Sequence, residues 1–458
     1  MGRTQRKRKQ NKVRNFRTCD DEKDLILLNT WLSKQSIRRN EKLVLAVFED
    51  TGRGVLTKRK ILAGEELINL PLNSTLNVIT ILTDQAFCSI FLENKSSCLL
   101  DYKQSVSFQS LLAFYLTYLK VQGSETKWHL YLNSLPREYT VPYFLPSNIQ
   151  CDIHSDIQTV ISKQTDIIRS SYDIFYTILR SSASKNNFVA KFQNNFDVSV
   201  YEWAYFTVNT RCVFMDLTNV LNLKNVSDSI LNLINDNTKI SLCPYLDMIN
   251  HSPNARNETK LMVRKSMENV NIVNLDQDFF SDVWFSIYTK NNFEPFTQVF
   301  ICYGDSHNLK LITEYGFFLP DNDLDYVCFP FEDIVTYLGT KSIKLSQEQC
   351  SFITSHGLNK DLYIDFRGLS FNLYGLLMVV KYYYDHSKDV SRLLYSAAVC
   401  SSNKDLNDLI TPLVMNKVKN IKESINRLRN NDSRSVILSN CVELMCQYVN
   451  ILEKFIKC

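Results

Sequence analysis

The spacing of apolar residues near the start of the chain first follows a helix and then follows strands. Between positions 24 and 38, apolar side chains recur three and four positions apart, at Leu25, Leu28, Trp31 and Leu32. This spacing predicts an amphipathic helix. Short apolar runs separated by glycine-containing turns then occur at 44–47, 55–57 and 67–70, a pattern typical of strands. We therefore expect a helix followed by a small β unit.

The helical period dominates the middle of the chain and its C-terminal part. Positions from about 75 to 240 are mostly helical in pattern, most clearly at 108–121 and 172–179. Strand-like runs resume at 260–264, 283–288 and 298–303. Further helices are predicted at 371–384, 405–414, 418–428 and 436–456. The pattern predicts an α+β protein in which a mostly helical region separates two strand-rich regions and a helical region follows them.

The last predicted helix carries an apolar stripe. Its members recur at three- and four-residue steps: Ile437, Cys441, Leu444, Tyr448, Ile451 and Phe455. Such a stripe packs either against the core or against a partner. We favour the core.

A helix over 200–211 has a predicted start. Ser199 with Glu202 three residues later forms a capping-box pattern, and Val198 and Trp203 have the spacing of a hydrophobic staple. A helix that begins there holds its last residues in a fixed place. Arg211 is its final residue and hence a candidate site residue.

Composition narrows the class of protein. At 458 residues the chain is long enough for two or three domains. Its 13 cysteines contain no Cys-x-x-Cys pair, which argues against a disulfide framework or zinc ribbon and favours a reducing compartment. The six histidines show no metal-ligand spacing, so no metal site is expected. Because neither a spanning apolar run nor a signal peptide is evident, we expect an intracellular protein that does not enter membranes.

The N-terminal segment differs from the rest in charge. Positions 1–17 contain no acidic residue and eight basic ones: Arg3, Arg6, Lys7, Arg8, Lys9, Lys12, Arg14 and Arg17. Removing these eight charges from the net +4 leaves −4 on the remainder. We predict a disordered basic tail over 1–23 that serves as a nuclear localisation signal or a loose nucleic-acid contact. The alternative is a solvated tail without a function, and no other dedicated nucleic-acid site is expected.

Several short motifs combine apolar strand ends with polar groups. They are Thr51-Gly52-Arg53-Gly54, Thr210-Arg211, the nonapeptide Pro-Tyr-Leu-Asp-Met-Ile-Asn-His-Ser at 244–252, Phe-Ile-Cys-Tyr-Gly at 300–304, and Glu-Tyr-Gly-Phe at 314–317. Each alone is compatible with an ordinary turn or strand end. Together they are more informative than any one of them.

The order and spacing of these motifs resemble the SET-domain protein lysine methyltransferases, and more narrowly their Rubisco-methyltransferase-like class. The resemblance runs from about Trp31 to the end of the chain. It implies a SET β-fold over 24–320 with a helical insertion at about 75–240. It also implies an all-helical C-terminal domain over 325–458, similar to the substrate-binding domain of Rubisco LSMT.

The resemblance also implies a reaction, in which a methyl group passes from S-adenosylmethionine to the ε-amine of a lysine in a histone or non-histone protein. It assigns the cofactor contacts to Thr51, Gly52, Arg53, Arg211, Asp247, Asn250, His251 and Tyr303, and the substrate channel to Arg211, Val213, Tyr315 and Phe317. Tyr303 is the predicted catalytic residue, because its phenol can orient the amine. The aromatic residues of the channel would favour the neutral amine over the ammonium.

Each assignment has a structural alternative. Gly52 can belong to an ordinary turn, Asp247 can be a buried or capping carboxylate, and Arg211 can form a surface ion pair. Tyr315 and Phe317 can be core residues. In each alternative the residue stabilises the fold and takes no part in a reaction.

Two other functions remain open at this stage. One branch of the class methylates histidine, with an amide side chain two residues after the arginine. Val213 occupies that position here and favours lysine. The other is an inactive SET fold that only binds a partner, which would have lost residues such as Asn250 and Tyr303. We expect an active monomer in the cytoplasm and nucleus.

Overall fold

The computed structural model describes residues 15–19, 22–94, 99–218, 229–263, 283–395, 404–429 and 435–457. Packing divides the chain into two compact units. The first contains Met1–Tyr139 and Asp166–Asp305, and the second contains Thr140–Thr165 and Ser306–Cys458. The predicted boundary at 320–325 stays a prediction. No helix in the described ranges is both long enough and apolar enough to cross a membrane.

The strands are numbered in chain order. They are β1 (Phe16–Thr18), β2 (Arg38–Arg39), β3 (Leu43–Phe48), β4 (Gly52–Thr57), β5 (Glu66–Pro71), β6 (Cys212–Phe214), β7 (Ile240–Leu242), β8 (Asn250–His251), β9 (Asn257–Val263), β10 (Val283–Thr289), β11 (Gln298–Ile301), β12 (Tyr326–Cys328), β13 (Tyr363–Asp365) and β14 (Gly368–Leu369).

The α-helices are α1 (Lys23–Lys34), α2 (Val78–Thr83), α3 (Gln85–Leu92), α4 (Phe108–Gln122), α5 (His129–Ser134), α6 (Ser147–Gln150), α7 (Ser155–Ser181), α8 (Asn187–Asn195), α9 (Val198–Arg211), α10 (Asn308–Lys310), α11 (Phe331–Thr340), α12 (Gln347–Ser355), α13 (Phe371–Tyr382), α14 (Val390–Tyr395), α15 (Lys404–Arg429) and α16 (Val436–Lys457). A single π-helical turn, Leu311–Tyr315, follows α10.

The described residues of the first unit contain three sheets. The largest has the strand order β1-β3-β4-β11-β8, the second has the order β2-β5-β10-β9, and β6 pairs with β7. Within the largest sheet β11 is antiparallel to β4 and parallel to β8. Because of this mixed pairing, the start of β4 and the ends of β8 and β11 lie at the same end of the sheet.

The insertion between β5 and β6 is helical, as its period predicts. Its core is aromatic. The rings of Phe114 on α4 and Phe175 on α7 stack with centroids 4.4 Å apart, and Phe192 of α8 lies 5.1 Å from Phe114. Aromatic pairs of this kind add to the free energy of area burial. Tyr201 near the start of α9 packs on the same core, with its ring centroid 6.3 Å from that of Phe175.

The start of α9 differs from the prediction. Asp197, and not Ser199, is the N-cap, and its carboxylate accepts a hydrogen bond from the Ser199 main-chain N–H. Both residue types cap helices well, and the chain turns one position before the helix begins at Val198. The predicted cap at Ser199 is therefore wrong, while the end of the helix at Arg211 is confirmed.

The first helix and strand also differ in their bounds. Helix α1 ends at Lys34, four residues before the predicted end, and β2 follows it. The Gly52 turn is part of β4, and β11 ends at Ile301 before Cys302 and Tyr303. Strand β1 lies within the segment predicted to be a disordered tail, of which 1–14 and 20–21 fall outside the described residues.

The second unit is mostly helical and also contains a small sheet of β12, β13 and β14. The stripe on α16 lies in its core, as predicted, since Cys441, Leu444 and Ile451 are completely buried. Helix α15 joins the two helices predicted at 405–414 and 418–428. Its apolar phase is unbroken, because the buried residues continue at the same spacing: Leu406, Ile410, Val414, Val418, Ile421, Ile425 and Leu428.

Candidate active site

Three separate segments of the chain meet at one end of the strands of the largest sheet. Val299 of β11 is opposite Val55 of β4, and Ile301 of β11 is opposite His251 of β8. The glycine turn before β4, the Asn250–His251 pair and the residues after β11 are consequently neighbours. Three of the five motifs predicted to form a site, at 51–54, 244–252 and 300–304, are brought together here.

The Asn250 side chain connects two of these segments. Its Nδ2 lies 3.1 Å from the Arg53 carbonyl and 2.9 Å from Oε1 of Gln298. The Nε2 of Gln298 in turn donates to the Thr51 hydroxyl at 2.8 Å. The turn that carries Thr51 is thereby tied to both β8 and β11.

Gly54 makes this connection sterically feasible. A Cβ at Gly54 would lie 2.7 Å from Nδ2 of Asn250 and 2.8 Å from Oε1 of Gln298. Gly52 has a different role, because its φ of +68° lies in the left-handed region and nothing lies within 4 Å of its Cβ position. Its exposed main chain is open to a ligand.

Arg211 and Asp247 form a buried ion pair. The Arg211 Nη1 lies 2.9 Å from the Asp247 carbonyl and 3.3 Å from its Oδ2. The Asp247 side chain has no exposed surface, and the Tyr131 hydroxyl donates to the same Oδ2 at 3.0 Å. Arg211 is therefore not part of a surface ion pair, and the buried carboxylate of Asp247 compensates its charge.

The charges of this pair are balanced against burial. Burial raises the pKa of Asp247, and the attraction of Arg211 and the Tyr131 hydrogen bond oppose that rise. Burial acts against charge on Arg211 too, yet Asp247 and then Tyr139 hold the pKa of the guanidinium above its ordinary value. The arginine therefore remains a cation.

His251 and Tyr303 are coupled through the main chain. The Nδ1 of His251 accepts a hydrogen bond from the Tyr303 N–H at 3.0 Å, and the two rings are 5.2 Å apart. Because Nδ1 is an acceptor, the neutral ring carries its proton on Nε2. Burial lowers the pKa of His251, and Asp305 opposes this only in part. The imidazole is neutral at physiological pH.

The phenol of Tyr303 has a fixed orientation. Its hydroxyl donates to the Ile249 carbonyl at 2.7 Å. The proton is thus directed toward the main chain, so the oxygen lone pairs can accept a hydrogen bond from another group. A hydroxyl held in this way can orient an amine.

The remaining predicted residues, Val213, Tyr315 and Phe317, belong to other elements. Val213 is in β6, opposite Ser241 and half-buried. Tyr315 and Phe317 belong to the second unit, with ring centroids 6.3 Å apart on either side of Gly316. Their place along a substrate channel stays a prediction.

Two residues of the site were not predicted. Gln298 left a weak signal, because it is a polar residue beside the apolar run of β11. Tyr131 left none, since it meets Asp247 only through the fold, 116 positions away in sequence. Both support residues that were predicted.

The fold and the sequence together define a class. A solved structure of the SET domain of LSMT bound to lysine and AdoHcy superimposes with a TM-score of 0.58, covering 96% of this chain and 91% of that chain at 15% identity. No protein-family model matches the chain. The chain has the fold of this SET-domain structure, and its motifs are similar to those of the Rubisco-methyltransferase-like class, as predicted.

Named relatives narrow the class further. SET domain-containing protein 4 of Mus musculus is 24% identical over 447 residues, 93% of this chain and 92% of that protein. The sequence motifs also resemble this branch, and the similarity over most of the chain supports that resemblance. The actin-histidine N-methyltransferase of Drosophila melanogaster is 24% identical over 302 residues, 63% of this chain and 48% of that protein.

Proposed function

We propose that this protein transfers methyl groups from S-adenosylmethionine to the ε-amine of lysine in a protein substrate. The observation that carries the proposal is the fixed phenol of Tyr303, 2.7 Å from the Ile249 carbonyl, at the edge where the predicted cofactor residues meet. The neighbouring SET structure was solved with lysine and AdoHcy, which supports the same pair of ligands here.

The residues present fit S-adenosylmethionine. The exposed main chain at Gly52 can approach it without a Cβ in the way, and Thr51 beside it is exposed too. Asn250 provides an amide and His251 provides main-chain groups for an adenine edge. When bound, the cofactor supplies an electrophilic methyl group on a sulfonium.

The chain's own residues would prepare the acceptor. A lysine ammonium has no lone pair and an ordinary pKa near 10.4, so it must lose a proton before attack. A site that excludes water disfavours the ammonium and lowers the pKa of the substrate amine. Tyr303 then accepts a hydrogen bond from the neutral amine and aligns it. Positioning of this kind can lower the barrier by about 7–11 kcal/mol.

The cofactor residues hold their positions through the contacts described above. Gln298 fixes Thr51 relative to Asn250, and His251 fixes the main chain of Tyr303. None of these contacts requires a covalent enzyme intermediate. The catalysis is therefore attributed to positioning and to exclusion of water.

The test is label transfer from radioactive S-adenosylmethionine to core histones and to a cell lysate, followed by acid hydrolysis. We expect label in methyl-lysine and a loss of at least about 100-fold in Tyr303→Phe, in line with the removal of a positioning group. Tyr176→Phe, an exposed tyrosine on α7, is the matched control and keeps full activity. Absence of both label and cofactor binding by titration contradicts the proposal and favours a binding module.

A histidine acceptor is the second candidate. The similarity to the Drosophila actin-histidine N-methyltransferase favours it, whereas Val213 favours lysine. Methyl-histidine in the hydrolysate would decide for it. The size of the radioactive band on a gel also shows whether the labelled substrate is a histone or another protein.

We also propose that the protein acts as a monomer in the cytoplasm and nucleus, with the basic tail as the nuclear signal. Removal of residues 1–14 then shifts a fluorescent fusion out of the nucleus. An unchanged distribution contradicts this role of the tail. Sedimentation of the purified protein measures the oligomeric state.

A further inference from the structure

We infer that a cleft in the helical insertion of the first unit binds the guanidinium group of an arginine side chain, presented by a protein or peptide. The cleft has a volume of about 520 Å³. The described residues that line it come from 80–86, 115–128 and 188, and none of these belongs to the candidate active site. Binding here therefore does not require methyl transfer.

Two polar side chains on one face of α4 line the cleft without being fully hydrogen-bonded. Oε1 of Gln122 is buried and accepts no hydrogen bond from the described residues, although Nε2 of the same amide donates to the Phe188 carbonyl at 3.0 Å. One turn earlier, the Tyr118 hydroxyl has no partner among the described residues, and Tyr118 is only 3% exposed. Buried polar atoms are nearly always satisfied in folded proteins. Because Oε1 can only accept, these atoms indicate a ligand that donates hydrogen bonds.

Asp84 adds a negative charge to the same cleft. It is the N-cap of α3 and is half-buried. Its Oδ1 accepts a hydrogen bond from the Phe87 N–H at 3.0 Å, and its Oδ2 accepts one from the Tyr115 hydroxyl at 3.1 Å. These two bonds fix the orientation of the carboxylate. Each oxygen keeps acceptor capacity for a further donor, so a ligand that is both cationic and rich in N–H groups is favoured.

A guanidinium meets these requirements better than other common groups. It carries five N–H donors in a plane and no acceptor, and it stacks on aromatic rings. The wall supplies such rings from Tyr115, Tyr118 and Trp128. A lysine ammonium has three donors on a single atom and is more strongly hydrated. A carboxylate or phosphate ligand would be repelled by Asp84 and would leave Oε1 of Gln122 without a donor.

One side chain of the wall competes with the ligand. Nζ of Lys127 lies 5.1 Å from the centre of the Trp128 ring, so the chain already places a cation against an aromatic residue of the cleft. Lys127 is exposed and its side chain is long enough to move aside. Glu125, which also lines the cleft, is paired with Lys191 at 2.7 Å. Lys127 should therefore weaken the binding of a second cation.

The test is a titration of the full chain with N-acetylarginine amide, followed by ¹⁹F NMR of protein that contains 5-fluorotryptophan. The chain has four tryptophans, and the spectrum of Trp128→Phe assigns the resonance of Trp128. That resonance should shift saturably with a Kd of about 1 mM, as expected for a ligand of this size. The resonance of Trp284, in β10, should not shift. N-acetylcitrulline amide, which has the same shape without the charge, should bind at least about tenfold more weakly.

Three variants test the contacts separately. Tyr118→Phe removes a hydroxyl without a partner, so the free energy of unfolding should not fall, whereas the Kd should rise by about threefold to tenfold. Asp84→Asn keeps a good N-cap residue and should raise the Kd at least about tenfold through loss of the charge. Lys127→Gln should lower the Kd. The matched control is Lys120→Gln on α4, whose ammonium lies over the Trp203 ring at 4.6 Å, and it should leave the Kd unchanged.

Several results would overturn the assignment. One is the absence of a saturable shift up to about 50 mM ligand, well above the expected Kd. Equal affinity for the arginine and citrulline amides would show that charge is not recognised. N-acetyllysine amide that binds as tightly as the arginine amide would mean a general cation site. Wild-type Kd values in both Tyr118→Phe and Asp84→Asn would place the ligand elsewhere. None of these results affects the proposed methyl transfer, because the titration measures binding alone.

Discussion

Replacement of Gly54 by alanine tests whether the proposed cofactor site is held as the structure indicates. The new methyl group would lie 2.7 Å from Nδ2 of Asn250 and 2.8 Å from Oε1 of Gln298. Neither distance is tolerable for a Cβ, so the two side chains must separate. The backbone of Gly54 does not have a positive φ, and the effect is therefore steric.

The expected loss of affinity follows from the steric overlap and from the hydrogen bond that it breaks. Overpacking of this kind costs about 1–3 kcal/mol of unfolding free energy. The hydrogen bond between Asn250 and Gln298, 2.9 Å long, contributes about 1 kcal/mol, and a polar group left unsatisfied costs about 1–3 kcal/mol. If the substitution destabilises the cofactor-bound protein by about 1.4–2.8 kcal/mol more than the free protein, the Kd for S-adenosylmethionine rises by about 10–100-fold.

The assay is calorimetric titration of S-adenosylmethionine, with chemical denaturation measured in parallel. Gly64→Ala is the matched control, because Gly64 has a φ of +91° and nothing within 4 Å of its Cβ position. It should cost about 1 kcal/mol of stability through backbone strain and leave the Kd unchanged. A Gly54→Ala protein that binds the cofactor with wild-type Kd would contradict this account of the site.

Three further predictions concern stability. Asp247→Asn leaves the buried Arg211 cation without its counter-charge and should cost about 3–5 kcal/mol in denaturant unfolding; a loss below about 1 kcal/mol would be too small for a buried pair. Burial lowers the pKa of His154 from 6.5 to about 3. The native state therefore binds fewer protons than the unfolded state, and about 2 kcal/mol of stability should disappear between pH 7 and pH 5. His154→Gln should remove that part of the pH dependence. If the slope of unfolding free energy against pH is the same in the variant, His154 is not its source. Asp197→Ala should lower the free energy of unfolding by about 1 kcal/mol through loss of the α9 cap, and Ser199→Ala should lower it less. A larger loss in Ser199→Ala would show that Ser199 is the cap, as the sequence predicted.

Much of the fold could be read from residue periodicity. The helical spacing of α1 and α16 and the apolar runs of β3, β5 and β10 appear where they were predicted. The two helices bury one face against a core, and β5 and β10 are buried along almost their whole length. Strand β2 was missed, since Arg38–Arg39 has two basic residues and no pattern. Strand β1 was missed for a related reason, as the charge of the tail concealed the apolar contact of Phe16.

Tertiary packing mattered more than local chemistry at helix ends. Asp197 and Ser199 are equally good caps by residue type, and only the direction of the incoming chain selects the first. Helix α15 was predicted as two helices, although its buried positions continue past Pro412 without a change of phase. Packing of one continuous face kept the helix whole.

Periodicity and residue type are local properties, and they were enough to predict the class of fold, the helical insertion and the short motifs that carry the candidate chemistry. The folded chain was needed to show that Gln298 connects Thr51 to Asn250, that Tyr131 supports Asp247, and that His251 accepts a hydrogen bond from the Tyr303 N–H. Those contacts join positions far apart in the chain, and the energy of such a contact depends on distances that no local pattern specifies. The register of the sheet supplied these distances.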